Sequence, residues 1–355
     1  MTDQTTTNIT ILGVGQMGLV CANMLAGSDP GLRGQRKAVS VRAWGHDPDE
    51  VGALAQTRTS SRLAHFELDE TVRVTLDLEE SLYETQIVVV AVPTQHIREV
   101  VGRVRDAVPA SAGFVSVAKG VEIDTLLRPT QIIADVLDDD PDQASRPLGC
   151  LSGPTIATEL AACLPATMVA STDPATDDGS FASALQRLFN TSWLRVYTND
   201  DLLGVELAGA TKNVIAIAAG ILDGLQAGAN AKSALLARGL AEIARLGVAM
   251  GANRDTFFGV AGVGDLATTC FSPEGRNRSC GEALGKGEPL DAYLKRTPFV
   301  VEGVATSKAV VALAKKFRVE MPITQSVHSV LFDRVDPLDA ITNLMSRELK
   351  SEQIG

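Results

Sequence analysis

The chain has 355 residues and a mass of 37.4 kDa, and its 43 acidic against 32 basic side chains leave a formal charge of −11. That length exceeds one compact small core, so two domains are expected. The acidity excludes general nucleic-acid binding, which needs a basic footprint, and any anionic substrate must meet a locally basic pocket. With 45% hydrophobic but only 4% aromatic residues, the core has to be built mainly from Ala, Val, Leu and Ile.

The first half alternates strand and helix patterns. Asn8–Leu12 reads as a short strand, followed by a glycine turn and the helix-like Met17–Leu25; Val39–Trp44 and Val72–Thr75 read as the second and third strands. Ile87–Val92 is a continuous apolar, mostly β-branched run, the mark of a strand buried on both faces. Phe114–Ala118, Leu148–Leu151, Thr167–Ala170 and Leu194–Tyr197 supply further strands, with helical stretches between them. Such alternation predicts an α/β, doubly wound, largely parallel sheet over residues 1–200. Beyond Asp200 convincing strands disappear. Leu202–Ile221, Lys232–Met250, Thr256–Thr268 and Glu302–Phe317 favour helix, predicting an all-α C-terminal domain over 201–355. Ser28–Lys37 and Asp138–Arg146 read as surface insertions.

The five cysteines, Cys21, Cys150, Cys163, Cys270 and Cys280, are odd in number and form no C-x-x-C pair, as expected of thiols in a reducing compartment. His46, His65, His96 and His328 lack metal-ligand spacing, so no metal site is expected. Met1–Thr10 is polar without a basic n-region, and no apolar run is read as a membrane span, so the expected compartment is the cytoplasm.

Gly13-Val-Gly15-Gln16-Met17-Gly18 follows a strand and opens a helix. The first glycine permits the tight turn, the second lets the backbone approach a pyrophosphate, and the third lets helix pack on strand. The second strand ends at Trp44-Gly45-His46-Asp47-Pro48, where such folds read the adenosine ribose; Asp47 is either that reader or an ordinary turn residue. Alternation places Arg42, Trp44 and His46 on one face. Pro93 marks where the chain leaves the sheet, either beside a bound dinucleotide or as a simple strand stop.

Lys119 lies at the carboxyl end of a parallel strand, the edge where open α/β sheets bind ligands, or is a solvated strand-end lysine. Ser152-Gly153-Pro154-Thr155 links a strand to a helix and reads as an anion-facing turn or a bare cap. Lys212 is the only charge between Glu206 and Asp223. Its helical neighbours Ala208, Gly209, Ala216 and Gly220 are all small, leaving room for a ligand; the bland alternative is a snorkelling lysine. Asp265 is an isolated acid after Gly262-Val-Gly264. Gly275-Arg276-Asn277-Arg278 reads as a compact basic loop suited to phosphate, or as solvated arginines. Glu302-Gly303 opens what reads as the last major helix.

In order along the chain, Gly13–Gly18, Trp44–Pro48, Ala118-Lys-Gly120, Ser152–Thr155, Thr211–Ile217, Gly259–Asp265, Arg276–Arg278, Val300–Gly303 and Glu320–Ile323 together resemble NAD(P)-dependent glycerol-3-phosphate dehydrogenases of the bacterial type. The resemblance implies a Rossmann-like N-terminal domain and interconversion of dihydroxyacetone phosphate and sn-glycerol 3-phosphate for phospholipid synthesis. It implies Lys212 as the catalytic acid/base, with Lys119, Gly153, Thr155, Lys212, Asp265, Gly275, Arg276 and Asn277 holding the substrate. Gly13, Gly15, Gln16, Met17, Gly18, His46, Lys119, Ala157, Arg276, Val300 and Glu302 would line the NAD or NADP site. The assembly is expected to be a homodimer. Departures are Gln16 and Met17 where relatives commonly carry Ser and an aromatic residue, Ile156 for Phe, and Gly275 for Ser. His46 in place of a carboxylate favours NADPH over NADH. Two other readings stand beside this one: a related two-domain hydroxy-acid or keto-acid dehydrogenase, and a dinucleotide-binding sensor without turnover.

Overall fold

A computed structural model describes residues 6–27, 39–138, 146–349 and 351–352 of the protein. The Ser28–Lys37 insertion and the interior of the Asp138–Arg146 insertion lie outside the described residues. The chain divides into two compact units, residues 1–118 with 129–202, and residues 119–128 with 203–355. The ten residues 119–128 thus leave the first unit, join the second, and return.

In the first unit ten strands are β1 (Thr7–Leu12), β2 (Val39–Trp44), β3 (Thr59–Ser60), β4 (Leu63–Glu67), β5 (Arg73–Thr75), β6 (Ile87–Val90), β7 (Gly113–Ser116), β8 (Leu148–Ser152), β9 (Ala166–Thr172) and β10 (Leu194–Asn199). Eight form one sheet in the order β10-β9-β8-β7-β6-β1-β2-β5. All its pairs are parallel except β8 with β9. The order reverses at β1, flanked by β2 and β6, and such a switch opens a crevice at the strands' carboxyl ends. Among the described residues, seven α-helices connect the strands: α1 (Gln16–Ala26), α2 (Pro48–Thr57), α3 (Leu78–Leu82), α4 (Ile97–Val104), α5 (Pro129–Leu137), α6 (Ala157–Ala161) and α7 (Ser180–Phe189). Every residue of β6 and β7 is buried, which explains their unbroken apolar character. β6 stops at Val90, two residues before the expected end, and Pro93 precedes a short 3₁₀ turn. The antiparallel hairpin β3–β4 was not legible, being two short strands with one apolar position in two.

The second unit is helical: α8 (Leu202–Gly224), α9 (Gly228–Met250), α10 (Asp265–Phe271), α11 (Arg276–Gly285), α12 (Leu290–Arg296), α13 (Glu302–Phe317), α14 (Pro322–Phe332) and α15 (Pro337–Met345). Three expectations change here. The helix expected over Thr256–Thr268 is broken into a 3₁₀ turn, a π turn at Val260–Gly264 and then α10. A side chain at Gly262 would strike the Phe257 carbonyl oxygen at 2.0 Å, so only glycine lets the chain fold back this tightly. α13 is not the last major helix, since α14 and α15 follow. α8 is long and apolar enough to cross a membrane, with a mean hydropathy of 1.5, but that stretch is wholly buried inside the protein.

α8 is the axis of this unit. A Cβ on Gly220 would lie 1.9 Å from the Arg278 carbonyl oxygen, and one on Gly281 would lie 1.9 Å from that of Ile217. Gly224 and Gly285 repeat the contact one turn further on. Paired glycines four apart on each helix bring the α8 and α11 backbones together. Of the small residues around Lys212, three serve packing: Ala208 and Ala216 belong to the core, and α11 fills the space at Gly220. At these three positions the small side chains do not leave room for a ligand as expected.

Candidate active site

In the first unit β1 ends at the glycine turn. Gly13 has φ +112° and accepts no side chain, since a Cβ would meet the Ala91 carbonyl oxygen at 2.8 Å. Gly18 seats α1 directly against this turn, where a Cβ would fall 1.9 Å from the Gly13 carbonyl oxygen. Gly15, by contrast, has open space where a side chain would be, and it caps α1 with no side-chain hydrogen bond. A closed turn below and an open, uncapped helix N-terminus above fit a dinucleotide pyrophosphate. Met17 packs on the core, and the Gln16 amide donates to the Arg62 carbonyl at 2.6 Å.

Beyond β2, His46 is exposed, while Asp47 Oδ1 accepts the backbone N–H groups of Asp49 and Glu50 at 2.9 and 3.1 Å. These two bonds, reinforced by the charges of His46 and Arg62, hold the Asp47 carboxyl below the usual carboxylate range. Asp47 is therefore the cap of α2. Trp44 is buried, and Arg42 donates to the Tyr83 carbonyl at 2.6 Å, so Arg42 is engaged beside α3 and not beside His46 as alternation suggested. Arg62, from the β3–β4 turn, brings a cation to this strand end and pairs with Glu50. After β8, Thr155 Oγ1 donates to the Gly153 carbonyl at 3.0 Å, and Ala157 opens α6.

In the second unit three charges converge. Asp265, 1% exposed, accepts Lys212 Nζ on Oδ1 at 2.5 Å and Lys119 Nζ on Oδ2 at 2.7 Å. Lys212 Nζ also donates to Thr269 Oγ1 at 2.5 Å. Burial pushes the Lys212 ammonium down to about 8; Asp265 pulls it up, and the neighbouring charge of Lys119 adds to the depression. Two ammonium groups sharing one carboxylate make a net positive cluster in an acidic chain. Lys119 reaches it from three residues past β7, in the segment that joins the second unit. The break before α10 makes this geometry possible, because it re-aims the helix so that Asp265 stands in its first turn.

The Gly275–Arg278 stretch is a helix start and not a loop. Gly275 caps α11 without a side-chain bond, and the Arg276 guanidinium lies over the Phe299 ring at 5.0 Å. Asn277 is buried: its amide donates to Asn213 Oδ1 at 3.0 Å and its oxygen accepts Gly303 N–H at 2.9 Å. Asn213 in turn donates to the Lys119 carbonyl at 2.9 Å. Asn277 thus ties α11 to α8 and α13, and Arg276 stands at the α11 N-terminus, which no side chain caps. Val300 is exposed and Glu302 opens α13 beside this tie. Arg278 pairs with Asp223 at 2.7 Å and with Glu282 at 3.1 Å, so it belongs to the α8–α11 packing.

Residues 8–177 match the NAD-dependent glycerol-3-phosphate dehydrogenase N-terminus, and residues 201–342 match the C-terminus of the same enzymes. The chain belongs to the NAD-dependent glycerol-3-phosphate dehydrogenase family. It is 40% identical over 345 residues to a glycerol-3-phosphate dehydrogenase [NAD(P)+] of Macrococcus caseolyticus, covering 97% of this chain and 99% of that one. It is also 40% identical over 347 residues to the Staphylococcus aureus protein of the same name, covering 98% and 100%. Among solved structures, glycerol-3-phosphate dehydrogenase from Coxiella burnetii superposes with a TM-score of 0.87 at 34% identity, over 96% of this chain and 99% of that chain.

Within this family member the structure brings Lys119, Lys212, Asp265, Gly275, Arg276, Asn277, Val300 and Glu302 into the second unit, around α8 and the starts of α10, α11 and α13. Gly13, Gly15, Gln16, Met17, Gly18, His46, Gly153, Thr155 and Ala157 belong to the first. Sequence reasoning missed three residues. Asn213 had a signal as the one amide beside Lys212 in an apolar run. Thr269 had one as the i+4 neighbour of Asp265 on the same helix face. Arg62 had none, because its hairpin was not legible.

Proposed function

We propose that the protein reduces dihydroxyacetone phosphate to sn-glycerol 3-phosphate with NADPH or NADH, and that it catalyses the reverse reaction, supplying glycerol 3-phosphate for glycerophospholipid synthesis. The observation that carries the reading is the buried Lys119–Asp265–Lys212 cluster in a chain of this family. The reduced nicotinamide, when bound, supplies the hydride that goes to the ketone carbon. Lys212, protonated, is aimed at the ketone oxygen and gives it a proton as negative charge develops there. Asp265 keeps enough charge on Lys212 for that role, while burial keeps its pKa near enough to neutrality for the reverse role as base. Lys119 positions the same end of the substrate, and Arg276 with the N-terminus of α11 takes the phosphate.

Gly13, Gly15 and Gly18 would hold the pyrophosphate, with Gln16, Met17, His46 and Ala157 along the rest of the cofactor. With Asp47 Oδ1 committed to α2 and Arg62 paired with Glu50, His46 is the side chain at the ribose end that supports NADPH as the better cofactor. We place the protein in the cytoplasm as a homodimer on the family likeness. The deciding assay follows oxidation of NADPH and of NADH with dihydroxyacetone phosphate, and with unphosphorylated dihydroxyacetone. Turnover confined to the phosphate ester is expected; no oxidation of either cofactor would leave a dinucleotide-binding sensor.

A further inference from the structure

The segment 119–128 carries Lys119 into the second unit, and several contacts hold it there. Val121 is fully buried in a core cluster with Leu207, Leu246 and Val310. The Glu122 carbonyl accepts Leu126 N–H and the Leu127 carbonyl accepts Glu122 N–H, each at 3.0 Å, closing the segment into a compact loop. At its head, Asn213 of α8 holds the Lys119 carbonyl. At its base, Arg128 Nη1 pairs with Glu206 Oε2 of α8. The Arg128 and Glu206 side chains are 12% and 1% exposed, so the pair is buried, and Glu206 stands six residues before Lys212 on the same helix. A buried ion pair contributes little net stability over an apolar pair of the same volume. Its yield lies in specifying geometry.

We propose that Arg128 and Glu206 are positioning residues for the reaction: they clasp the base of the 119–128 loop to α8, so that Lys119 and Lys212 meet on the same carboxylate. The inference rests on the functional reading above. The groups facing Lys212 are Asp265 and Thr269 of α10, Lys119 of the loop, and the Cys270 thiol, which burial pushes up to about 12 and so keeps neutral. Lys119 is the only one of them that depends on the clasp. If it withdraws, Asp265 is left to Lys212 alone, one repelling charge is gone, and Lys212 holds its proton to higher pH.

The test uses Glu206→Gln and the double variant Arg128→Met/Glu206→Met, which leaves no unpaired buried charge should the single variant fail to fold. Two readouts are taken: steady-state kinetics against pH, and competitive acetylation of each lysine against pH, read by mass spectrometry. The expected result is faster acetylation of Lys119, a KM for dihydroxyacetone phosphate raised roughly tenfold, and the Lys212 limb moved up by roughly half to one pH unit. Arg128→Lys, which keeps the charge, should recover most of the KM. A folded double variant with wild-type Lys119 acetylation and an unmoved limb overturns the proposal, whatever happens to kcat. Absence of turnover in the wild-type protein would instead count against the functional reading, and the acetylation profiles would still decide the clasp.

Discussion

Asp265→Asn removes one charge from a site with two ammonium groups. The carboxylate is 2.5 Å from Lys212 Nζ and 2.7 Å from Lys119 Nζ, and the Lys212 side chain is only 8% exposed, so solvent screens the pair weakly. At an effective dielectric of about 20, unit charges about 4 Å apart interact by about 4 kcal/mol, roughly three pKa units. The amide oxygen of the substituted side chain still accepts a hydrogen bond from the ammonium, so the loss to Lys212 is roughly one to two units. Its pKa should fall from about 8 into the range about 6–7. At pH 7.5 the protonated fraction then drops from about three-quarters to roughly a tenth. Reductive kcat/KM should fall about tenfold from protonation alone, with a further ten- to hundredfold from lost positioning. The assay is NADPH oxidation against pH. Reduction needs protonated Lys212, so its rate declines as pH rises through the lysine pKa, and that limb should move to lower pH in the variant.

Stability offers an independent check on the same change. Between the depressed folded pKa of Lys212 and about 10.5, the unfolded chain binds more protons, so stability from this group rises with pH across that window. In Asp265→Asn the window widens downward, and the deficit against wild type in thermal unfolding should be larger at pH 6 than at pH 9. A limb that stays at about 8 or moves upward in a folded Asp265→Asn protein would refute the assignment of Asp265 as the group that keeps Lys212 charged.

Lys212→Met should lower kcat by roughly 10²–10⁴ with cofactor binding intact; near-normal turnover in a folded variant would remove Lys212 from the chemistry. Arg276→Ala should cost about 2–4 kcal/mol in kcat/KM with the phosphate ester and far less with unphosphorylated dihydroxyacetone; equal losses on both substrates would make it structural or a cofactor contact. His46→Asp should shift preference towards NADH, and a wild-type kcat/KM for NADH more than about tenfold above that for NADPH would contradict the ribose-end reading. Gly220→Ala should destabilise by about 1–3 kcal/mol in thermal unfolding, because its methyl would meet the Arg278 carbonyl backbone, whereas Gly15→Ala should leave stability nearly unchanged and weaken cofactor binding.

What the sequence by itself determined is local or periodic. β-branched runs such as Ile87–Val90 declare buried parallel strands, and the spacing of Gly13, Gly15 and Gly18 declares the turn, with Gly13 at φ +112° and Gly18 against the Gly13 carbonyl oxygen. Lys212 stood out because one charge in an apolar helix is costly unless partnered. The partners were decided only by tertiary structure. Asp265 lies 53 residues from Lys212 and 146 from Lys119, and no propensity reports a carboxylate shared by two lysines. Gly220 of α8 read as space for a ligand until α11 occupied it, since a small residue reports close approach but not what approaches. Asn277 read as a phosphate ligand, and nothing local announced that its amide also bonds the Asn213 side chain and the Gly303 backbone. The broken helix before Asp265 was equally hidden: glycine permits a π turn, but packing against Phe257 imposes it. Side-chain type sets what a residue is able to do; only the packed chain sets which groups compete for it.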